Sequence, residues 1–169
     1  MERTGVITFK GNPMTLIGPE LKAGDPTPDF TVVNNELQPV KLSDLKGQVV
    51  VLSAVPSLDT PVCEMQTKNF NEKAASLNAK VLTISLDLPF AQKRFCSSFN
   101  IENVTVLSDY KDRSFAQTYG LLIQELALIA RSVFVIDKQG IIAYKEIVNE
   151  VTDQPDYGKV IEAAKQAGA

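Results

Sequence analysis

The sequence has 169 residues, of which 44% are hydrophobic and 22% are charged, and we expect a single soluble domain spanning residues 1–169. The 17 Lys+Arg and 20 Asp+Glu give a formal net charge of -3 at pH 7, which argues against nucleic acid or an anionic membrane surface as a partner. The chain contains no His, so Ser-His-Asp and Cys-His catalytic pairs and HExxH zinc sites are excluded.

Signals for membranes, export and cofactors are missing from the sequence. The longest apolar runs, such as 49–52 and 133–136, are much shorter than the roughly 18 residues that a membrane span requires. The first residues lack a basic region followed by an apolar run, so we expect no export signal and a cytoplasmic location. The glycine spacing excludes GxGxxG and Walker loops, and two cysteines are too few for a thiolate zinc site. We therefore expect no cofactor and no bound metal.

The predicted elements begin with an N-terminal β-hairpin, because two short runs of β-forming residues flank the turn sequence Gly11-Asn12-Pro13. The unbroken apolar character of a later run indicates a strand that is buried on both faces of a sheet. In chain order, the strands predicted before residue 56 are 6–10, 14–18, 29–33 and 48–55.

A helix is predicted at 61–77, with Thr60 as its N-cap and Pro61 at its first position. It connects the preceding strand to a strand at 79–87, and such a βαβ unit has parallel strands and a right-handed crossover. The remaining predictions, in chain order, are a helix at 89–99, a strand at 104–108, a helix at 112–119, a β-hairpin of 132–137 and 141–148, and a helix at 155–167. This order predicts an α/β, thioredoxin-like sheet flanked by helices, with the N-terminal β-hairpin as an extension.

Cys63 is a candidate nucleophile because of its predicted position. It is the third residue of the predicted helix, where unpaired backbone N–H groups and the helix dipole favour an anion such as a thiolate. The preceding strand also places it at the carboxyl edge of the sheet, where open α/β sheets bind their ligands. The alternative is a small buried hydrophobic residue, which is the commoner role of a single cysteine.

Arg131 is the second unusual residue, because it is the only charged residue in an apolar stretch from 126 to 136. A guanidinium in such a stretch needs a partner. One interpretation is an arginine that pairs with a carboxylate or reaches solvent at the start of a strand. The other is a partner for the Cys63 sulfur, since the chain has no imidazole to activate a thiol.

Ionisation alone does not account for an efficient thiol enzyme. A free cysteine thiol is about 3% ionised at pH 7, so complete ionisation raises the thiolate fraction by only about 30-fold, which is worth about 2 kcal/mol. The rest of the rate acceleration has to come from groups directed at the charge that develops in the transition state. The candidates are Arg131, the Thr60 hydroxyl and the Cys63 backbone N–H, which together suit a small dipolar electrophile such as a peroxide.

Two segments carry a resemblance to a known family. Residues 56–63, Pro-Ser-Leu-Asp-Thr-Pro-Val-Cys, resemble the PxxxTxxC motif of peroxiredoxins, in the strand-loop-helix context which that family requires. Residues 85–96, Ser-Leu-Asp-Leu-Pro-Phe-Ala-Gln-Lys-Arg-Phe-Cys, are similar to the signature of bacterial thiol peroxidases, which are atypical two-cysteine peroxiredoxins. The N-terminal hairpin and residues 155–157 also match that branch, so the resemblance covers essentially the whole chain.

The resemblance implies a role for each matching residue. Cys63 would be the peroxidatic cysteine, Cys96 the resolving cysteine and Arg131 the activating arginine. Thr60 would hydrogen-bond the peroxide and the thiolate, and Pro56 would shield the pocket. The family has a thioredoxin-like fold and reduces hydrogen peroxide and alkyl hydroperoxides with electrons from thioredoxin, and this branch usually forms homodimers.

The implied reaction predicts a conformational change. The Cys63 thiolate would become a sulfenic acid, and Cys96 would condense with it to form an intramolecular disulfide. A disulfide requires Cα atoms about 4.4 to 6.8 Å apart, whereas Cys96 lies about 10 Å along the predicted helix from Pro89. We therefore expect the first turn after Thr60, the helix around Cys96, or both to unwind on oxidation.

The same residues leave one other function open and disfavour two more. The main alternative is a thioredoxin-fold redox sensor or adaptor, in which a Cys63 to Cys96 switch alters partner binding. A copper-binding thioredoxin-like module is disfavoured because it needs CxxxC together with a His. A glutathione peroxidase is disfavoured because that family's active site uses a Trp, which this chain lacks.

Overall fold

The computed structural model describes residues 1–169, which form eleven strands and four α-helices. The strands are β1 Glu2–Phe9, β2 Asn12–Ile17, β3 Thr31–Val33, β4 Pro39–Lys41, β5 Val50–Ala54, β6 Lys80–Ser85, β7 Thr105–Ser108, β8 Leu122–Ile123, β9 Leu128–Ile129, β10 Ser132–Ile136 and β11 Ile142–Ile147. The helices are α1 Pro61–Ala74, α2 Pro89–Phe99, α3 Ser114–Thr118 and α4 Tyr157–Gln166, and a 3-10 turn lies at Leu42–Leu45. None of these helices is both long and apolar enough to span a bilayer.

The central sheet has seven strands in the order β11-β10-β5-β6-β7-β3-β4. The β5, β6 and β7 strands are parallel, as predicted for the βαβ unit, whereas β10 is antiparallel to both β5 and β11. Every residue of β5 and of β10 is buried, which agrees with their unbroken apolar sequences. The sheet flanked by helices is the predicted layer arrangement.

The side chains of the sheet contribute to two apolar clusters, one on each face. One cluster contains residues of α1, α2 and α4, including Cys63, Phe70, Phe95 and Val160. The other contains residues of α3 and of the strands that lie outside the central sheet. Cys96 packs against the first cluster, so both cysteines border the same apolar layer.

The predicted N-terminal hairpin is present, but its strands belong to a separate sheet of four strands, β1-β2-β8-β9. The hairpin turn is Lys10 and Gly11, both with positive φ, so β2 begins at Asn12 and not at residue 14 as predicted. The pair β8 and β9 was not predicted. Each has only two residues, which is too short for a period-2 pattern, and the turn between them uses Ala127 at φ 53° instead of a glycine.

Three predicted helices are too long. Helix α1 ends at Ala74 and not at 77, because the Ser76 hydroxyl and its N–H both bind the Lys73 carbonyl. Helix α3 occupies 114–118 within the predicted 112–119, and α4 occupies 157–166 within the predicted 155–167. The short edge strand β4 was missed. Helix α2 has the predicted bounds, and Asn100 ends it in the left-handed conformation.

Candidate active site

The end of β5 and the start of α1 position Cys63 as the sequence predicts. Thr60 is extended at the N-cap, Pro61 follows at the first helical position, and Cys63 is the third residue of the helix. Proline suits this position because its fixed φ matches the helix and its missing N–H has no acceptor there. The sulfur therefore lies at the positive end of the α1 dipole.

Arg131 lies at the same edge of the sheet because β10 runs antiparallel to β5. The first residue of β10, Ser132, pairs with Ala54 at the end of β5, so the residue before it lies next to the start of α1. The Arg131 guanidinium is 2% exposed, and its Nη2 donates a hydrogen bond to Cys63 Sγ at 3.1 Å. The partner of this arginine is thus the sulfur, and no salt bridge to a carboxylate is formed.

Two further hydrogen bonds fix the orientation of the Arg131 guanidinium. Nε donates to the Val151 carbonyl at 2.7 Å, and Nη1 donates to Gln66 Oε1 at 2.8 Å. Gln66 is fully buried, and its Nε2 donates in turn to Ser53 on β5 at 2.7 Å. Because these partners are neutral, the positive charge stays available to a thiolate, and the guanidinium is held in place before any substrate binds.

Gln66 was not predicted as a site residue. Its sequence signal was its position three residues after Cys63, which places both side chains on one face of α1. A buried glutamine needs partners for its oxygen and its nitrogen, and here these are the guanidinium and the Ser53 hydroxyl. Gln66 therefore positions Arg131 without contacting the sulfur.

The Thr60 hydroxyl and the Cys63 N–H bind each other, which corrects one expectation. The Cys63 N–H donates to Thr60 Oγ1 at 3.4 Å, as in an ordinary N-cap, and so is not directed at a ligand. The Thr60 hydroxyl donates to the Ser57 carbonyl at 3.0 Å. The hydrogen of the Thr60 hydroxyl is thus held by the Ser57 carbonyl.

The loop before α1 covers the sulfur. Cys63 is 0% exposed, and both Pro56 and Leu58 are buried, whereas Thr60 and Pro61 are exposed. Pro56 follows the end of β5 and is itself buried, and its role as a shield of the pocket stays a prediction. Because the thiol has no exposed surface, a substrate reaches it only after some part of this cover moves.

Cys96 is the eighth residue of α2, and both cysteines are free thiols. Its side chain is half-buried and lines a cavity of about 280 Å³ together with Asn34, Asn35 and Val104. Burial raises the pKa of the Cys96 thiol. The two thiols therefore differ in their surroundings: Cys63 faces a guanidinium, whereas Cys96 is half-buried without a nearby cation among its hydrogen-bond partners, and its burial favours the protonated form.

Comparisons with known proteins agree with this geometry. The Redoxin family model matches residues 22–161. The thiol peroxidases of Halalkalibacterium halodurans and Bacillus subtilis are 56% and 54% identical to this chain, covering 95% and 94% of it and 98% and 96% of their own sequences. The crystal structure of a peroxiredoxin-like protein from Aquifex aeolicus is 50% identical, with a TM-score of 0.91 over 98% of this chain and 97% of that one.

These matches confirm the thioredoxin-like fold and the resemblance found in the sequence. The chain belongs to the redoxin family and, within it, to the thiol peroxidases, which are peroxiredoxin-type enzymes.

Proposed function

We propose that this protein reduces hydrogen peroxide and alkyl hydroperoxides with Cys63 as the peroxidatic cysteine and Cys96 as the resolving cysteine. The observation that supports this most strongly is the 3.1 Å hydrogen bond from Arg131 to Cys63 Sγ, made by a guanidinium whose Nε and Nη1 are held by two further hydrogen bonds. A charge-assisted hydrogen bond of this kind stabilises a thiolate, which is the nucleophilic form of cysteine.

In the first step, the Cys63 thiolate attacks the terminal oxygen of the hydroperoxide. A sulfur–oxygen bond forms, the O–O bond breaks, and the leaving oxygen takes a proton to become an alcohol or, from hydrogen peroxide, water. Negative charge moves from the sulfur to the leaving oxygen, so the Arg131 guanidinium and a rotated Thr60 hydroxyl are the donors suited to stabilise the transition state.

Access to the sulfur sets a condition on this step. Because Cys63 is 0% exposed, the substrate reaches it only when the segment from Pro56 to Pro61 opens. The Thr60 hydroxyl, which donates to the Ser57 carbonyl in the closed loop, has to turn toward the peroxide in the same step. We assign to Pro56 the role of closing the pocket over the bound peroxide, so that the reacting oxygen is kept from bulk water.

In the second step, Cys96 attacks the Cys63 sulfenic acid. The new S–S bond replaces the S–O bond, and the hydroxyl leaves as water with the proton of the Cys96 thiol. A dithiol then reduces this disulfide by exchange and is itself oxidised. Thioredoxin is the reductant proposed, and the cytoplasm is the location proposed, because thiol reductants there keep unpaired cysteines reduced.

The proposed assembly of this protein is a homodimer. Leu88 and Phe90 at the start of α2 are 52% and 65% exposed, and Met65 on α1 is also exposed. These exposed apolar side chains lie on α1 and at the start of α2, the helices that carry the two cysteines, and they favour a homodimer that buries them. Sedimentation should give a dimer for the native chain and a monomer for Phe90→Asp, with Val6→Asp on β1 as a control. A native monomer would contradict this assignment.

The peroxidase cycle is tested by counting thiols before and after one equivalent of hydrogen peroxide, with a non-reducing gel. Both thiols should disappear without a cross-linked dimer, and Cys96→Ser should instead retain a sulfenic acid that a dimedone probe traps. With thioredoxin, thioredoxin reductase and NADPH, the protein should consume peroxide over many turnovers. A single oxidation without turnover would instead identify a redox sensor.

A further inference from the structure

The loop before Cys63 is held by a carboxylate on another element. Asp87 follows the end of β6, and its Oδ1 accepts a hydrogen bond from the Ser57 hydroxyl at 2.8 Å. Its Oδ2 accepts from the Leu58 N–H at 2.7 Å and from the Ser85 hydroxyl at 2.7 Å. Leu58 also packs in the apolar cluster beneath the loop, but no other hydrogen bond joins Ser57 or Leu58 to the sheet, so Asp87 is the polar contact that fixes the loop before Cys63.

The same carboxylate is connected to the helix that carries Cys96. Gln92, on the first turn of α2, is fully buried, and its Nε2 donates to the Ser85 hydroxyl at 3.0 Å and to the Leu107 carbonyl at 2.8 Å. Asp87 also immediately precedes Leu88, the N-cap of α2. Hydrogen bonds thus run without interruption from the Cys63 loop through Asp87 and Ser85 to α2.

We propose that Asp87 is a positioning residue for both redox cysteines, through a clasp formed by Ser57, Leu58, Ser85, Asp87 and Gln92. In the reduced protein the clasp holds the Cys63 loop closed and the start of α2 helical. At least one of these segments has to rearrange before the two sulfurs can meet, so the clasp opposes disulfide formation as well as organising the peroxide site.

The consequence for the reaction rests on the proposed function. After the first step, the Cys63 sulfenic acid has two fates: attack by the Cys96 thiol with loss of water, or oxidation by a second hydroperoxide to a sulfinic acid with loss of an alcohol or water. The clasp delays the first fate because it must break. Its removal should accelerate resolution by about tenfold, the factor expected for one hydrogen bond to a charged group that is lost from the closed form only.

The clasp has two arms: the hydrogen bonds from Asp87 to the Cys63 loop, and the hydrogen bonds through Ser85 and Gln92 to α2. Different variants test each arm. Asp87→Ala removes the arm to the Cys63 loop and releases Ser85 from the clasp, Ser57→Ala weakens the arm to the Cys63 loop, and Gln92→Met removes the arm to α2. Asp87→Asn is the conservative variant, since its amide oxygen still accepts from the Leu58 N–H. The matched control is Asp29→Ala, because the Asp29 carboxylate likewise accepts backbone N–H groups, those of Phe30 and Ser43, on segments without a cysteine.

Two measurements test the proposal. Amide exchange of the reduced proteins needs no peroxide: Asp87→Ala should accelerate exchange in both 56–62 and 89–96, Ser57→Ala mainly in the former, and Gln92→Met mainly in the latter. The second measurement is the first-order decay of the sulfenic acid after stoichiometric peroxide, followed by quenching and mass spectrometry. This decay should be about tenfold faster in Asp87→Ala and closer to native in Asp87→Asn.

The outcomes distinguish this proposal from the proposed function. Unchanged exchange in either segment, or a decay rate equal to that of native protein and Asp29→Ala, would overturn the clasp. If the native protein forms no disulfide at all, the peroxidase cycle fails, while exchange still decides whether Asp87 holds both segments. Should Asp87→Ala not fold, Ser57→Ala and Gln92→Met carry the same test one arm at a time.

Discussion

The Arg131 side chain combines charge with fixed geometry at the level of a single residue. Its three nitrogens bind three different partners, which are the Val151 carbonyl, Gln66 Oε1 and Cys63 Sγ. A planar guanidinium suits this arrangement because its donors diverge at fixed angles. In the proposed reaction the charge stabilises a thiolate at Cys63, and the two other hydrogen bonds keep that charge directed at the sulfur.

Arg131→Lys tests whether charge alone is sufficient. Lysine keeps the positive charge, but one ammonium group cannot reach all three partners at once. We expect the second-order rate constant for the reaction of Cys63 with hydrogen peroxide to fall by about 100-fold, as when one directed donor is removed from a transition state. The control is Arg94→Lys, an exposed position on α2. A rate within threefold of native would contradict the geometric role.

Gln66→Glu tests the neutrality of the arginine's second partner. The added carboxylate would pair with the guanidinium and disfavour a second negative charge on the adjacent sulfur. The peroxide reaction should therefore reach half of its maximal rate at a higher pH than in the native protein. Gln66→Met, which removes the hydrogen bonds without adding charge, should slow the reaction but leave that pH in place. Superimposable pH profiles for the two variants would show that the charge is irrelevant.

At the level of elements, the best predicted parts of the molecule are those with a long periodic or unbroken pattern. The N-cap and first turn of α1, the bounds of α2 and the parallel βαβ unit follow from caps, prolines and apolar runs. The pairing of β8 and β9 with the N-terminal hairpin could not be predicted, since it depends on long-range contacts between very short strands.

The same distinction applies to the site. Cys63 and Arg131 were identifiable because each is chemically unusual in its local sequence. Gln66 and Asp87 were not, because ordinary polar residues acquire a role only through partners that are distant in the chain, such as Arg131 and Ser57. Sequence patterns specify which segments form elements, but they do not specify which polar side chains meet at the sheet edge.

The N-terminal sheet also contributes to the site through one carboxylate. Glu150 accepts hydrogen bonds from Thr8 and Gly11 of the hairpin and from Thr152. It thereby fixes the segment whose next residue, Val151, binds Arg131 Nε. These donors, chiefly the backbone N–H groups of Thr152 and Gly11, lower the pKa of Glu150 to about 2.

A pH dependence of stability follows from this lowered pKa. The folded protein binds the Glu150 proton less readily than the unfolded chain, so the contribution to stability is present above about pH 4.5 and is lost as the pH falls toward about 2. Glu150→Gln should lower the Tm by about 2–4 °C at pH 7, and this difference should shrink steadily below pH 4.5. The control is Glu72→Gln, at an exposed position of α1. A difference that is constant from pH 7 to 2.5 would contradict the assignment.

At the level of the whole molecule, the fold separates a rigid part from a part that must move. Strands β5, β6 and β10 form the buried centre of the sheet, whereas Cys63 and Cys96 lie on helices α1 and α2, within or against one apolar cluster. A protein that keeps its sheet intact while two segments open can form a disulfide at low cost, because most of the buried area is retained.

Oxidation should therefore change amide exchange in a localised pattern. Cys96 is the eighth residue of α2, about 10 Å along the helix from Pro89, so the Cα separation of about 4.4 to 6.8 Å that a disulfide needs requires one or both segments to unwind. After one equivalent of peroxide, exchange should accelerate in 56–63, in 89–99 or in both, and stay slow in β5, β6 and β10. The doubly substituted Cys63→Ser, Cys96→Ser protein should show no oxidation-dependent change. A change that persists in that variant, or one that spreads through the sheet, would mean that the cysteine segments do not open as independent units.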